Sequence, residues 1–495
     1  MLPKAAQKSA SSASSAFLFS SAFPKKIRVI RVIRVPVLIR VPKKSASSAS
    51  SAFLFSSAFS SAFQKKPRSF QIFFSLLSNR KNPVPQFSFQ HMSKPSFLCI
   101  ASYFKGNEFL RGMKSTGATV YLVTSKKHDD KPWAKDALDD IFYVQEDAEN
   151  EWNMEDTASG LAWLMRSKKI DRIVALDDFD VEKAAYLREH FRIPGMGQTT
   201  ARHFRDKLAM RIEARDAGIP VPAFTDLFHD ADITRFTQKV AAPWIVKPRG
   251  QASATGMKKL HSADELWAHL ETLGGNRHQY LVEQFKPGDV YHVDALSEGG
   301  KVIFSRVSKY LATPFDVAHG GGIFRSAVVP FGSDDDKKLQ KLTADVMTAF
   351  GMQYSASHTE FIKNRETGEF YFLETSSRVG GAHLAEMVEF SSGLNLWYEW
   401  ARLESAVAAG EKYKMPKVRN DYTGILVSLA RQEWPDTSQF NDPEVVWRMT
   451  DKEHHVGIIV QSKKHERIIE LLDDYAVRVQ KDYHASAPAP DKPNV

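Results

Sequence analysis

Beyond residue 95 the chain alternates short apolar runs with longer amphipathic stretches, the pattern of strands and helices in succession. Residues 97–101 (FLCIA), 119–124 (TVYLVT) and 171–176 (DRIVAL) predict buried strands, and 181–190 predicts a helix. Such alternation implies a parallel sheet with ligand space at the carboxyl ends of its strands. No G-x-G-x-x-G follows any of these runs, so a dinucleotide site is not supported. Phe204, Leu208 and Ile212 then recur every fourth residue, and Gly218 and Pro220 end that helix. A strand-rich region opens at Trp244, and Ser262 with Glu265 forms a capping box before another helix. Strands are expected at 280–285, 290–296 and 302–309, then a helix at 335–350 and two more strands. After about Met415 a smaller α/β module follows, with a Pro/Ala tail from Ala485.

The first 91 residues break this pattern. Residues 8–23 and 44–59 are the same sixteen residues, KSASSASSAFLFSSAF, and Arg28, Arg31 and Arg34 recur every third position between them. A period of three suits neither helix nor strand, so no amphipathic face forms and disorder is expected. Three readings are open: a translated repeat upstream of an initiator at Met92, an organelle-targeting leader, or a basic arm for nucleic acid.

Charge sharpens the division. The chain's formal charge is +9, but residues 1–91 hold nine Lys, six Arg and no acidic residue, which leaves −6 for residues 92–495. A nucleic-acid or other polyanionic partner is therefore not expected for the body. Its single cysteine, Cys99, excludes an intrachain disulfide and a cysteine-based zinc site, and fits a reduced, cytoplasmic protein. No apolar run reaches the ~20 residues of a membrane span, so no membrane role is expected.

Candidate chemistry begins with a hairpin. Apolar runs at 356–362 and 370–373 flank the turn Asn364-Arg365-Glu366-Thr367-Gly368. Centred on Thr367, the register opposes Ile362 to Phe372 and Glu360 to Glu374. Two carboxylates opposed across strands repel unless a cation lies between them, and Mg²⁺ prefers such oxygens. Neutralisation by Arg378 or a nearby Lys is the structural alternative. Lys247 ends the strand IVKP beside a small-residue loop, RGQASATG, in which Gly250, Ser253, Thr255 and Gly256 can approach phosphate oxygens.

In this order and spacing the chain resembles the ATP-grasp superfamily from Met92 to about Leu403. The resemblance runs through Asp206-Lys207, Ala217-Gly218-Ile219-Pro220-Val221-Pro222, Val246-Lys247-Pro248 and Val282-Glu283-Gln284-Phe285. It continues through His358-Thr359-Glu360-Phe361 and Leu373-Glu374-Thr375-Ser376-Ser377-Arg378-Val379-Gly380-Gly381. It implies an α/β pre-ATP-grasp domain (92–198) and an α+β ATP-grasp domain of two subdomains (199–414), which stand between the leader (1–91), expected to be disordered from its composition, and the C-terminal α/β module (415–484) with its disordered tail (485–495). Carried over, Lys207 and Lys247 bind the phosphates of ATP. Glu283 accepts from the adenine amino group, and the Gln284 and Phe285 backbone reads the ring edge. Glu360 and Glu374 hold Mg²⁺ or Mn²⁺, and Arg378 stabilises the transferring phosphoryl group or the substrate carboxylate.

Two positions depart from the family pattern. Val290 stands where a ribose-binding Glu is usual, with Asp289 beside it as the substitute, and Ser376 replaces a metal-binding Asn. Residues 305–325 form an expected glycine-rich loop in which Lys309, His319 and Arg325 are candidates for substrate or phosphate contacts. The resemblance implies an ADP-forming carboxylate–amine ligase working through an acylphosphate on small-molecule substrates, and a homodimer by analogy. The alternatives are a biotin-carboxylase-like enzyme that activates bicarbonate, with its carrier on a partner, and an ATP-binding module without turnover.

Overall fold

The computed structural model describes residues 94–486, apart from residues 149, 252–254, 315–316 and 318–320. The leader, the end of the tail, Ser253 and His319 therefore lie outside the described residues. Four parallel strands form the first sheet: β1 (Ser96–Ala101), β2 (Thr119–Ser125), β3 (Asp140–Val144) and β4 (Arg172–Ala175), in the order β3-β2-β1-β4. β3 was not among the predicted strands. Each inner strand is apolar on both faces because helices cover both, which is why β1 is buried throughout.

A second, antiparallel sheet holds β5 (Phe224–Asp226), β6 (Trp244–Pro248), β7 (Lys258–Leu260) and β8 (Tyr280–Gln284), in the order β5-β8-β6-β7. The third has eight strands: β9 (Gly288–Glu298), β10 (Lys301–Tyr310), β11 (Phe324–Val328), β12 (Ser355–Asn364), β13 (Phe370–Ser376), β14 (Tyr422–Leu429), β15 (Val445–Arg448) and β16 (His455–Ser462). Their order is β13-β12-β9-β10-β11-β14-β16-β15, so the strands after Met415 extend this sheet. β11 begins at the end of the stretch (305–325) expected to be a glycine-rich loop, and the last residues of β10 occupy its start.

Alternation gives the large sheet two different faces. Val293, Val307, Phe361 and Phe372 point to one side and form a core with Leu339, Val346 and Met347 of the Asp334–Ala349 helix. The residues between them, including His292, Asp294, His358 and Glu360, point to the other. Glu360 is paired with Glu374 as the hairpin register predicted. Beyond that pair a bulge intervenes, so Phe361, and not Ile362, faces Phe372. Leu373 is the additional residue on β13, and a register counted from the turn cannot foresee it.

The Lys207–Asp216 helix starts at Asp206, whose Oδ1 accepts the Leu208 N–H at 2.9 Å. Its apolar stripe differs from the predicted one. Ile212 is 39% exposed, whereas Arg211 is fully buried. Among the described residues, no helix is long and apolar enough to cross a membrane.

Candidate functional site

Four polar groups come together where the three sheets meet. The first is built on β6, β8 and the Lys207–Asp216 helix. Strand pairing sets Ile245 against Glu283, which brings the Lys247 ammonium to 2.5 Å from Glu283 Oε1. Arg211 Nε donates to Glu283 Oε2 at 2.9 Å and its Nη1 donates to the Leu373 carbonyl. The bulged residue of β13 thus serves as an acceptor for this cluster. Burial and the adjoining Arg211 guanidinium push the Lys247 ammonium down to about 8. Burial also opposes charge on Glu283, but Arg211 and Lys247 outweigh it and hold the carboxyl below its usual range.

The second group lies at the start of the same helix. The Lys207 ammonium is 2.7 Å from Glu374 Oε2 and donates to the Gln251 carbonyl at 2.7 Å. Burial would raise the Glu374 pKa, and the Lys207 charge reverses that shift. Lys207, rather than Arg378, is therefore the cation paired with Glu374.

The third group surrounds Glu360. Tyr310 donates its hydroxyl to Glu360 Oε1 at 2.8 Å, and His358 Nε2 lies 3.5 Å from the same oxygen. His358 Nδ1 and His292 Nδ1 each meet one oxygen of Asp294 at 2.8 Å, and His292 Nε2 meets Ser326 Oγ at 2.7 Å. Burial would depress the His358 imidazole, yet Asp294 and then Glu360 push it up to about 10. His292, fully buried, shifts the other way through desolvation. The two imidazoles that share Asp294 are thus pushed in opposite directions.

Among the described residues, Glu360 Oε2 and Glu374 Oε1 accept no hydrogen bond. Two hard oxygens on paired strands, with the Ser376 hydroxyl two residues further along β13 on the same face, form a donor set suited to Mg²⁺ or Mn²⁺.

The fourth group joins the first sheet to the others. Arg378 Nε donates to Asp178 Oδ2 at 3.0 Å, its Nη2 donates to the same oxygen, and its Nη1 donates to the Val379 carbonyl at 2.8 Å. Asp178 lies just beyond the carboxyl end of β4, where the strand order turns. Burial opposes its charge, and Arg378 with Arg205 keeps the carboxyl below its ordinary range.

Two expected site residues are corrected by their parity along the strands. Lys309 pairs with Tyr291, and Asp289 with Lys363, on the face opposite Glu360 and Glu374. There Lys309 Nζ is 2.7 Å from Asp289 Oδ2, and Arg365 also pairs with Asp289. Asp289 therefore does not substitute on the face of Val290, and Lys309 is not beside the carboxylate pair. Arg325 is likewise paired with Asp473.

The Gln284 and Phe285 N–H groups donate to the Ala223 and Pro243 carbonyls at 2.8 and 3.0 Å. Reading a base with those amides would break both bonds. Gly250 and Thr255 flank the undescribed part of the small-residue loop, and Gly256 adopts φ +69° there.

Residues that sequence reasoning passed over are Arg211, Asp178, Tyr310, His292, Asp294 and His358. A signal existed for three of these. His292 with Asp294, and His358 with Glu360, stand two apart in predicted strands, so each pair shares a face.

No family model matches the chain. It is 26% identical over 241 residues to the L-arginine-specific L-amino acid ligase of Bacillus subtilis, across 47% of this chain and 57% of that protein. It is 28% identical over 249 residues to D-alanine--D-alanine ligase B of Pseudomonas syringae pv. tomato, across 46% of this chain and 74% of that one. The chain thus spans little more than half of the first relative's length. The L-amino acid ligase structure from Bacillus licheniformis is similar in fold, with a TM-score of 0.61 at 16% identity, over 79% of this chain and 98% of that one.

Proposed function

We propose that this chain, an ATP-grasp protein by its fold and its relatives, is an ATP-dependent ligase that joins a small-molecule carboxylic acid to an amine. The observation that carries the reading is the pairing of Lys207 with Glu374 of the Glu360–Glu374 pair, with Lys247, held by Glu283, near enough to act on Glu374 electrostatically, while each carboxylate of the pair keeps one oxygen uncommitted. A triphosphate needs fixed positive charge along its phosphates, and the two ammonium groups supply it. Glu360, Glu374 and the Ser376 hydroxyl would hold the divalent ion, which when bound adds charge neutralisation at the terminal phosphates.

In the first step a substrate carboxylate oxygen attacks the γ-phosphorus and the bond to ADP breaks, giving an acylphosphate. In the second, an amine attacks the acyl carbon, the carbon–oxygen bond to phosphate breaks, and an amide forms as the nitrogen loses a proton. Arg378, held by Asp178, presents its guanidinium to the transferring phosphoryl group. Glu283, already gathering Lys247 and Arg211, sets the lysine's position for the phosphates and faces the adenine amino group. Closure of the site keeps water from the acylphosphate.

The test is ADP and phosphate release over a panel of carboxylates and amines. Release that requires both substrates is expected. ATP binding without turnover on any pair, or release driven by bicarbonate with no amine, would overturn the assignment.

A pH dependence follows from Lys247. Its ammonium is intact below about 8 and is lost above it, so the charge offered to phosphate disappears as pH rises. The association constant for MgADP is expected to be flat below that point and to fall up to about tenfold per pH unit above it. In Lys247→Arg the descending limb should vanish, because guanidinium does not titrate there. An unchanged limb in calorimetric titrations of that variant would assign it to another group.

A further inference from the structure

Glu360 ends a row of polar side chains that crosses three strands on one face of the large sheet. Register sets Glu360 of β12 against His292 of β9, and His292 against Ser308 of β10. Tyr310 stands two residues beyond Ser308 and so shares that face. Its ring lies 4.7 Å from the His292 ring, and its hydroxyl reaches past β9 to donate to Glu360 Oε1 at 2.8 Å. Phe324 packs edge-on against the tyrosine ring at 5.6 Å, and Tyr310 is 5% exposed. The hydroxyl is therefore held with little freedom.

His358 Nε2 stands 3.5 Å from the same Glu360 oxygen and 3.4 Å from the tyrosine hydroxyl. Its Nδ1 meets Oδ1 of the fully buried Asp294 at 2.8 Å. A β-carbon at position 380 would come within 2.6 Å of that oxygen and 3.0 Å of that nitrogen, so the backbone closes over the pair with room for glycine alone. The donor atoms of His292, Asp294 and His358 all lie within 4.8 Å of one another, close enough to suggest a metal site of their own. Distances decide against it. Each imidazole meets Asp294 at 2.8 Å, the length of a hydrogen bond. Two donors at ~2.0 Å from a tetrahedral ion would stand about 3.3 Å apart. The three residues are closed on one another, and the oxygen left open at their edge is Glu360 Oε2.

We infer, on the reading of the carboxylate pair as the metal site, that Tyr310 is a positioning residue, backed by His358 on Asp294, which fixes Glu360 as a one-oxygen ligand of the divalent ion. Lys207 is paired with Glu374, whereas Glu360 is kept opposite that like charge by the tyrosine and histidine contacts. Removing the hydroxyl frees the Glu360 carboxylate to turn away from its neighbour. Outer partners of this kind set metal affinity by roughly 10–100-fold. A carboxylate offering one oxygen suits a small octahedral ion, while Ca²⁺ readily takes both oxygens of one carboxylate.

The test measures ion binding to the full chain at saturating ADP, from the paramagnetic signal of free Mn²⁺ and from displacement of bound Mn²⁺ by Ca²⁺. Tyr310→Phe is expected to weaken Mn²⁺ about tenfold. Ca²⁺ should lose less than about threefold, because Oε1 becomes free to join the larger ion. ADP affinity in EDTA should stay unchanged, which a collapsed site would not allow. Should Tyr310→Phe not fold, His358→Asn must narrow the preference for Mn²⁺ over Ca²⁺ in the same way. Asparagine keeps an amide where Nδ1 meets Asp294 and removes the Nε2 end. Unweakened Mn²⁺ binding, an equal loss of the two ions, or a matching loss of ADP overturns the positioning role. Glu360→Gln tells that role from the metal site beneath it. If this variant loses Mn²⁺ and Tyr310→Phe does not, the positioning role alone falls. If it retains Mn²⁺, the carboxylate pair is not the metal site and both fall.

Discussion

Lys247→Ala is expected to lower ATP-dependent ADP release by roughly 10²–10³, the usual consequence of removing one charged donor from a preorganised site. The side chain is 3% exposed as a residue and already gathered by Glu283, so its ammonium is presented with little freedom to lose on binding phosphate. The chain should remain folded, because Glu283 keeps its bond from Arg211 when the lysine is gone. Coupled measurement of ADP release on the folded variant decides the matter. Activity within threefold of the parent would remove Lys247 from the phosphate site.

Arg211→Met is expected to produce the largest stability loss, about 3–5 kcal/mol by denaturant unfolding, typical of breaking a buried ionic group on one side. The residue has no exposure, and it ties the Lys207–Asp216 helix to Glu283 on β8 and to the Leu373 carbonyl on β13. Methionine fills similar volume but leaves two acceptors short of a donor. Lys247→Ala should cost less than this in the same assay. A loss below about 1 kcal/mol in Arg211→Met would mean that water or Lys247 takes over both bonds.

The two substitutions also show which parts of the site were readable from residue order. Next to the turn the register is one residue off that expected, pairing Ile362 with Tyr371, and the bulge at Leu373 is what brings Glu360 opposite Glu374. A bulge leaves no mark in composition, so alternation alone does not account for that pairing. Arg211 was passed over because a charged residue within an amphipathic helix reads as solvent-facing. Only the third dimension shows that Glu283 and a carbonyl wait on the buried side. Lys309 ends a predicted strand and Asp289 stands beside Val290 in sequence, yet parity places both across the sheet from the carboxylate pair. β11 was hidden by the glycines before it, whose composition suggests a loop. Its pairing comes from β10 on one side and from residues about a hundred positions later on the other.

That distant pairing has a consequence in time. During synthesis β9, β10, β12 and β13 can assemble once residue 376 has emerged, but the outer edge of β11 is matched only when Tyr422–Leu429 arrives, pairing Phe324 with Val427 and Ala327 with Gly424. Until then the growing chain carries an unpaired apolar strand edge, the feature that recruits neighbouring chains. A chain cut between β13 and β14 would contain the paired carboxylates and both lysines yet leave that edge open. Its weakness would be association with its own copies, not a missing catalytic group.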